Sequence, residues 1–204
     1  PARSALRAVN EYILYIGMKI LIAGLGLIGG SFALALRDRE IADEILGVEK
    51  SDENAAEALR LGLADRIVTL EEGVPQADLV VLATPVDTIP LMAVKALNHV
   101  TDRQVVMDMG SIKAELCEVI SMHARRGRFV AAHPMWGTEY SGPRAAQHGA
   151  FTGRNAVVCE AQFEWAKPGQ RLGQDFLNEA LPLIERQIRN AGYRLARVLN
   201  ELFG

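Results

Sequence analysis

What the chain lacks narrows its class. It holds two cysteines, Cys117 and Cys159, far apart and without CxxC spacing. That argues against a disulfide-stapled secreted module and against a structural zinc site, and it fits a reducing cytoplasm. Both thiols read as small buried apolar residues. Neither sign of charge is in surplus: 22 Lys and Arg against 25 Asp and Glu leave a net charge of −3. A nucleic-acid partner gripped by bulk positive charge is therefore not expected. Nor is there an apolar run of membrane length. Residues 20–36 number 17, with Ser31 as the one polar side chain, short of the roughly 20 that a helix needs to cross a bilayer. Behind Arg3 and Arg7, Asn10 and Glu11 interrupt any signal-peptide core, so no targeting segment is read. Internal repeats and low-complexity tracts are absent, and no metal site is expected.

What is present is ordinary globular material. The chain has 204 residues, 50% hydrophobic and 23% charged, enough for one domain or for one domain and part of a second. From Met18 onward strand and helix patterns alternate. Strands are expected at 19–23, 44–48, 78–83, 104–109, 128–132 and 155–159, and helices at 27–37, 53–61, 86–97 and 112–123. Strands apolar on both faces and separated by helices predict a mostly parallel sheet covered on both sides. Residues 1–17 read as an N-terminal extension, 18–160 as the sheet domain and 161–204 as a helical tail. In the tail Leu177, Leu181, Ile184, Ile188, Ala191, Leu195, Val198 and Leu202 follow a 4, 3, 4, 3 spacing. That seam fits a helix that pairs two copies into a homodimer, or one appended to the sheet domain.

The apolar run at 20–36 carries four glycines, and their spacing assigns it a purpose. Gly24-Leu25-Gly26-Leu27-Ile28-Gly29 matches GxGxxG, follows a strand and opens a helix. This is the setting of a dinucleotide-binding turn in a Rossmann-type, doubly wound α/β fold. Gly24 permits the tight turn, Gly26 leaves the pyrophosphate unblocked, and Gly29 lets helix and strand approach. The helix start at Leu27 and Ile28 offers free N–H groups to the anion. Glu49 ends the second strand, 20 residues after Gly29. A carboxylate there accepts from ribose hydroxyls and repels a 2′-phosphate, which favours NAD over NADP. Thr84 and Pro85 close the 78–83 strand, either lining the cofactor cleft or simply opening a helix.

Two further strand ends carry polar groups to the same rim. Ser111 follows the 104–109 strand, and His133 follows the 128–132 strand. A histidine that titrates near neutrality suits removal of a hydroxyl proton as hydride leaves; the alternative is a histidine bonded to backbone. Ser111 can orient the histidine or a substrate oxygen, cap the next helix, or do both. His99, His123 and His148 read as surface residues.

Gly24–Gly30, Ala83-Thr84-Pro85, Gly110-Ser111-Ile112-Lys113 and the string from His133 to Pro143 (HPMWGTEYSGP) together resemble prephenate dehydrogenase over residues 18–160. The resemblance implies NAD-dependent oxidative decarboxylation of the small molecule prephenate to 4-hydroxyphenylpyruvate, a step of tyrosine biosynthesis. It implies that His133 accepts the proton of the ring hydroxyl, that Ser111 holds that hydroxyl, and that Glu139 sits at the mouth of the site. A related arogenate dehydrogenase is the neighbouring alternative. The family follows this half with a helical domain that dimerises and supplies cations for the substrate carboxylates. No such domain is read here, so a nucleotide-binding module without turnover is the other alternative. From about residue 174 the tail resembles the C-terminal helix of zinc-dependent single-strand nucleases, with no matching metal ligands.

Overall fold

The computed structural model describes residues 18–159 and Leu202. They build one seven-stranded sheet with helices on both faces. In chain order the elements are β1 (Met18–Ala23), α1 (Leu27–Asp38), β2 (Ala42–Val48), α2 (Asp52–Arg60), β3 (Arg66–Ile67) and α3 (Leu70–Gly73). They continue with β4 (Leu79–Leu82), α4 (Ile89–His99), β5 (Val105–Asp108), α5 (Ala114–Ser121), β6 (Phe129–Pro134) and β7 (Ala156–Cys159). The sheet order is β3-β2-β1-β4-β5-β6-β7. The first six are parallel, and β7 runs antiparallel to β6. This is the doubly wound α/β fold expected, with a reversal of winding between β1 and β4.

The strands owe their burial to alternation. Ile20 and Ile22 point to one face and pack with Phe32, Ala33 and Leu36 of α1. Leu21 and Ala23 point to the other and pack with Ala93 and Leu97 of α4 and Leu116 and Ile120 of α5. Each helix covers one side, so strands such as Leu79–Leu82 are apolar throughout. At about 25 cal/mol per Å2, these two cores supply most of the drive to fold.

Register matters most for function. Ala23 is paired with Val48 on one side and Leu82 on the other. Leu82 is paired with Asp108, and Asp108 with Ala131. The residues that follow these pairs, Gly24, Glu49, Ala83, Met109 and Ala132, therefore leave the sheet along one rim. In open α/β sheets that rim is where ligands bind.

Several boundaries differ from the sequence reading. β3 was not expected: two residues at a sheet edge carry no periodic signal. The helix expected at 86–97 begins only at Ile89, with Thr88 before it and Pro90 in its first turn. The helix expected at 112–123 begins at Ala114. β6 runs on to Pro134 because β7 pairs with it there, His133 opposite Val157. Cys117 is buried, whereas Cys159 is only partly so. The segments 1–17 and 161–204, with the seam and the nuclease-like stretch, lie outside the described residues except for Leu202, which is buried in the α1-side core. Among the described residues no helix is long and apolar enough to cross a membrane.

Candidate active site

The glycine turn is built by close backbone approach. Gly24 has φ +87°, a left-handed conformation that favours glycine. A Cβ there would also lie 2.7 Å from the Ala83 carbonyl oxygen and 2.9 Å from the Thr84 nitrogen. The turn thus rests against the end of β4, and Gly24 N–H donates to Val48 O at 2.9 Å. Gly29 is tighter still: a Cβ would stand 1.9 Å from the Gly24 carbonyl oxygen. Gly26 differs from both. A Cβ there meets only the Gly142 nitrogen, at 3.8 Å, so the space above it is open to a ligand. Gly26 caps α1 without a side-chain hydrogen bond, and no acidic residue stands in the first turn. The N–H groups of Leu27 and Ile28 lie in that turn, where the helix itself provides no acceptor. These features fit the pyrophosphate of a dinucleotide.

Glu49 is drawn to this turn. Its Oε2 accepts from Leu25 N–H at 3.4 Å, while Oε1 accepts from Lys50 N–H at 3.0 Å and Ser51 N–H at 3.3 Å. The carboxylate is held at the tip of β2, beside the α1 start. Thr84 is half-buried and accepts through Oγ1 from the Thr88 hydroxyl at 2.9 Å. Pro85 is exposed and lies ahead of α4, not in its first turn; that corrects the helix-opening alternative.

On the adjoining part of the rim, Ser111 is exposed between β5 and α5. Lys113, not Ser111, occupies the N-cap position of α5, which corrects the capping alternative. His133 lies within β6 and is half-buried. Burial first, and the Lys113 charge second, hold its imidazole below the ordinary histidine range. No hydrogen bond joins Ser111 to His133 among the described residues; they are neighbours by strand order. Glu139 is exposed on the following loop, bordering a shallow depression with Tyr140, Ser141 and Arg144. The structure brings Gly24, Gly26, Gly29, Glu49 and Thr84 together, with Glu139 on the loop whose Gly142 nitrogen faces Gly26. A larger cleft of about 560 Å3 between α2 and residues 141–144 is lined by Glu57, Arg60, Gly142 and Arg144, without His133 or Ser111 in its wall. The glycine-turn rim is the better candidate, because among the described residues it combines an anion-seeking helix start with a titratable base.

The His133 loop is fastened to the cofactor side. Trp136 meets Phe151 edge to face at 5.7 Å, and Phe151 meets Phe32 of α1 likewise at 6.0 Å. Ser31 of α1 accepts from Gln147 N–H at 2.9 Å, and Arg144 pairs with Glu57 of α2 at 2.7 Å. Sequence reasoning missed one pair outright. Asp108 is fully buried at the end of β5 and is bonded to buried Lys113. Its signal was a lone acid closing the apolar run Val105-Val106-Met107. Among the described residues no group of three or more His, Cys, Asp or Glu side chains is placed to hold a metal ion.

Comparison with known proteins points to one family. A family model described as prephenate dehydrogenase, nucleotide-binding domain, matches residues 32–171. It starts inside α1, so the glycine turn stands on its own geometry. Prephenate dehydrogenase of Bacillus subtilis (strain 168) is 34% identical over 169 residues, 81% of this chain and 43% of that protein. The crystal structure of prephenate dehydrogenase from A. aeolicus in complex with hydroxyphenyl propionate and NAD+ is similar, with 27% identity and a TM-score of 0.64. That match covers 87% of this chain and 58% of the other. Synechocystis arogenate dehydrogenase has 25% identity and a TM-score of 0.59, covering 83% of this chain and 57% of the other. The chain spans less than half the length of the curated relatives it matches.

Proposed function

The chain belongs to the prephenate dehydrogenase family, as its nucleotide-binding domain, and from that premise we propose that it serves NAD-dependent oxidative decarboxylation of prephenate to 4-hydroxyphenylpyruvate. The observation that carries this reading is the single rim that joins the open Gly26 cradle to His133. Gly26, with the N–H groups of Leu27, Ile28 and Gly29, would hold the pyrophosphate. Glu49 would accept from the ribose hydroxyls, and Thr84 and Pro85 would line the cleft. When bound, the dinucleotide supplies a hydride acceptor. His133, kept neutral, accepts the proton of the ring hydroxyl as the carbon bearing it is oxidised. Ser111 holds the same hydroxyl, and Glu139 stands at the mouth. Loss of CO2 makes the ring aromatic, which drives the step forward.

A second reading has its own observation. The chain spans less than half of its curated relatives, so the described residues can form a cofactor module that needs a further domain, or a second copy in a homodimer, to turn over. Arogenate is the alternative substrate, since the same rim would meet the same ring hydroxyl. Calorimetric titration with NAD, followed by an assay of NADH formation with prephenate and then arogenate, separates these. Binding with turnover supports the dehydrogenase, and binding without turnover supports the module. Failure to bind NAD would falsify both. In a chain that turns over, His133→Ala abolishes NADH formation while leaving NAD affinity unchanged.

A further inference from the structure

The buried charge pair beneath the rim is bonded to the backbone beside both Ser111 and His133. Asp108 is 0% exposed and Lys113 is 4% exposed. Asp108 Oδ2 accepts from Gly110 N–H at 2.9 Å and from the Lys113 ammonium, while Oδ1 accepts from Ala132 N–H at 3.3 Å. Gly110 adjoins Ser111, and Ala132 adjoins His133. One carboxylate thus ties two amides 22 residues apart in sequence, each next to a residue of the site. Stability alone does not explain such an arrangement. Buried ion pairs regain little more than their desolvation cost, and apolar side chains of similar volume often serve as well. Burial indeed pushes the Asp108 carboxyl up, against the pull of Lys113 and the two amides.

Alternation along the strands sets what His133 faces. Ala131 and His133 share one side of β6, the side covered by α5. Asp108 of β5 and Lys113 at the start of α5 stand on that side. From β7 the partners are Val157, opposite His133, and Cys159, opposite Ala131. The Cys159 thiol is pushed up to about 11 by burial and is uncharged at neutral pH, as is the Cys117 thiol of α5. Lys113 is the cation whose charge is felt at the imidazole.

We propose that the Asp108–Lys113 pair is a positioning device for His133: Asp108 locks the strand end bearing His133 to the loop bearing Ser111, and Lys113 anchors that carboxylate on the side of β6 that His133 faces. This rests on the reading of His133 as the base. The sign follows directly. A base acts in its neutral form, so activity falls as pH drops through the His133 value, which lies below that of an ordinary histidine. Removing the cation moves that acid limb to higher pH, and restoring a cation moves it back.

The test uses the full chain and needs neither substrate nor dinucleotide. The four histidines are titrated by NMR, with His99, His123 and His148 as internal references and His133→Gln to assign the signal. Lys113→Met is expected to raise the His133 midpoint by about 0.5–1 pH unit, while Lys113→Arg stays close to the parent. A merely structural role would move both variants alike. Asp108→Asn is expected to speed amide exchange at Gly110 and Ala132 by about tenfold or more, the factor that about 1.4 kcal/mol of lost protection gives. If Lys113→Met does not fold, Lys113→Gln, which keeps a donor to Asp108 but no charge, carries the same titration. The proposal is overturned if removal of the cation leaves the midpoint unmoved, if Lys113→Arg shifts it as far as Lys113→Met, or if exchange at the two amides is unchanged. Absent turnover with these shifts intact would refute the assigned reaction and leave the device standing.

Discussion

The second and third glycines of the turn offer a sharp separation of binding from folding. At Gly29 an added Cβ would stand 1.9 Å from the Gly24 carbonyl oxygen. Carbon and carbonyl oxygen settle at about 3.3–3.6 Å, so the helix would have to back away by roughly 1.4 Å. Overpacking of this kind costs about 1–3 kcal/mol, sometimes more, and the better helix propensity of alanine returns only about 1 kcal/mol. With the clash against backbone placing the cost at the upper end of that range, the net loss of about 2 kcal/mol lowers the melting temperature by roughly 4–8 °C for a chain of this size. At Gly26 the nearest neighbour of a Cβ is the Gly142 nitrogen at 3.8 Å, and the backbone sits at φ −78°, open to any L residue. Gly26→Ala therefore loses only the small N-cap advantage of glycine, within about 1 kcal/mol. Its methyl group nevertheless occupies the space assigned to the pyrophosphate. We expect at least a tenfold loss of NAD affinity, about 1.4 kcal/mol, with near-parental melting. Thermal denaturation and NAD calorimetry on both variants decide it. Parental NAD affinity in Gly26→Ala would show that the pyrophosphate does not cross there. Parental melting in Gly29→Ala would show that the helix start is not held as tightly as its geometry requires.

Three further outcomes follow from single contacts. Glu49→Ala should narrow discrimination between NAD and NADP by about tenfold, or 1.4 kcal/mol, in parallel titrations; an unchanged ratio counts against its ribose role. Alkylation of Cys159, pushed up to about 11, should run roughly a hundredfold slower than that of a free thiol at pH 8, and reaction at the rate of an unfolded peptide would contradict its burial. The Glu57 carboxyl is held down to about 2, by Arg60 first and then by Arg144. Its ion pairs therefore persist above its ordinary value of 4.5 and fade as pH falls toward 2. Glu57→Gln should flatten the pH dependence of stability across that window, and an identical acid profile would remove the tie between α2 and residue 144.

Much of this could be read from spacing because the relevant physics is local. A strand such as Leu79–Leu82, buried on both faces, has to be apolar at every position, and the Gly24 turn needs a residue free to adopt positive φ. What was missed depends on partners distant in sequence. β3 is a two-residue edge strand that exists because Leu46 and Gly47 offer it a ladder. His133 falls inside β6 because Val157 pairs opposite it. The α5 start slips to Ala114 as the Lys113 side chain is drawn inward to Asp108, which leaves Ile112 61% exposed. Nothing in the motif around Ser111 and Lys113 says that the lysine points into the protein. That follows only once β5 and β6 are adjacent.

The inward lysine also bears on what the domain does alone. Prephenate carries two carboxylates, and a site that binds it needs cations. Lys113, whose charge reaches His133, has a side chain 2% exposed and engaged with Asp108, so it cannot also meet a substrate anion. Arg144, the basic residue of the 134–145 loop, is turned toward Glu57. On the proposed reading the described residues supply the cofactor cradle and the base, while Lys113 and Arg144 are each paired with a carboxylate of the domain itself. If prephenate is the substrate, its carboxylates are then expected to meet residues other than these two.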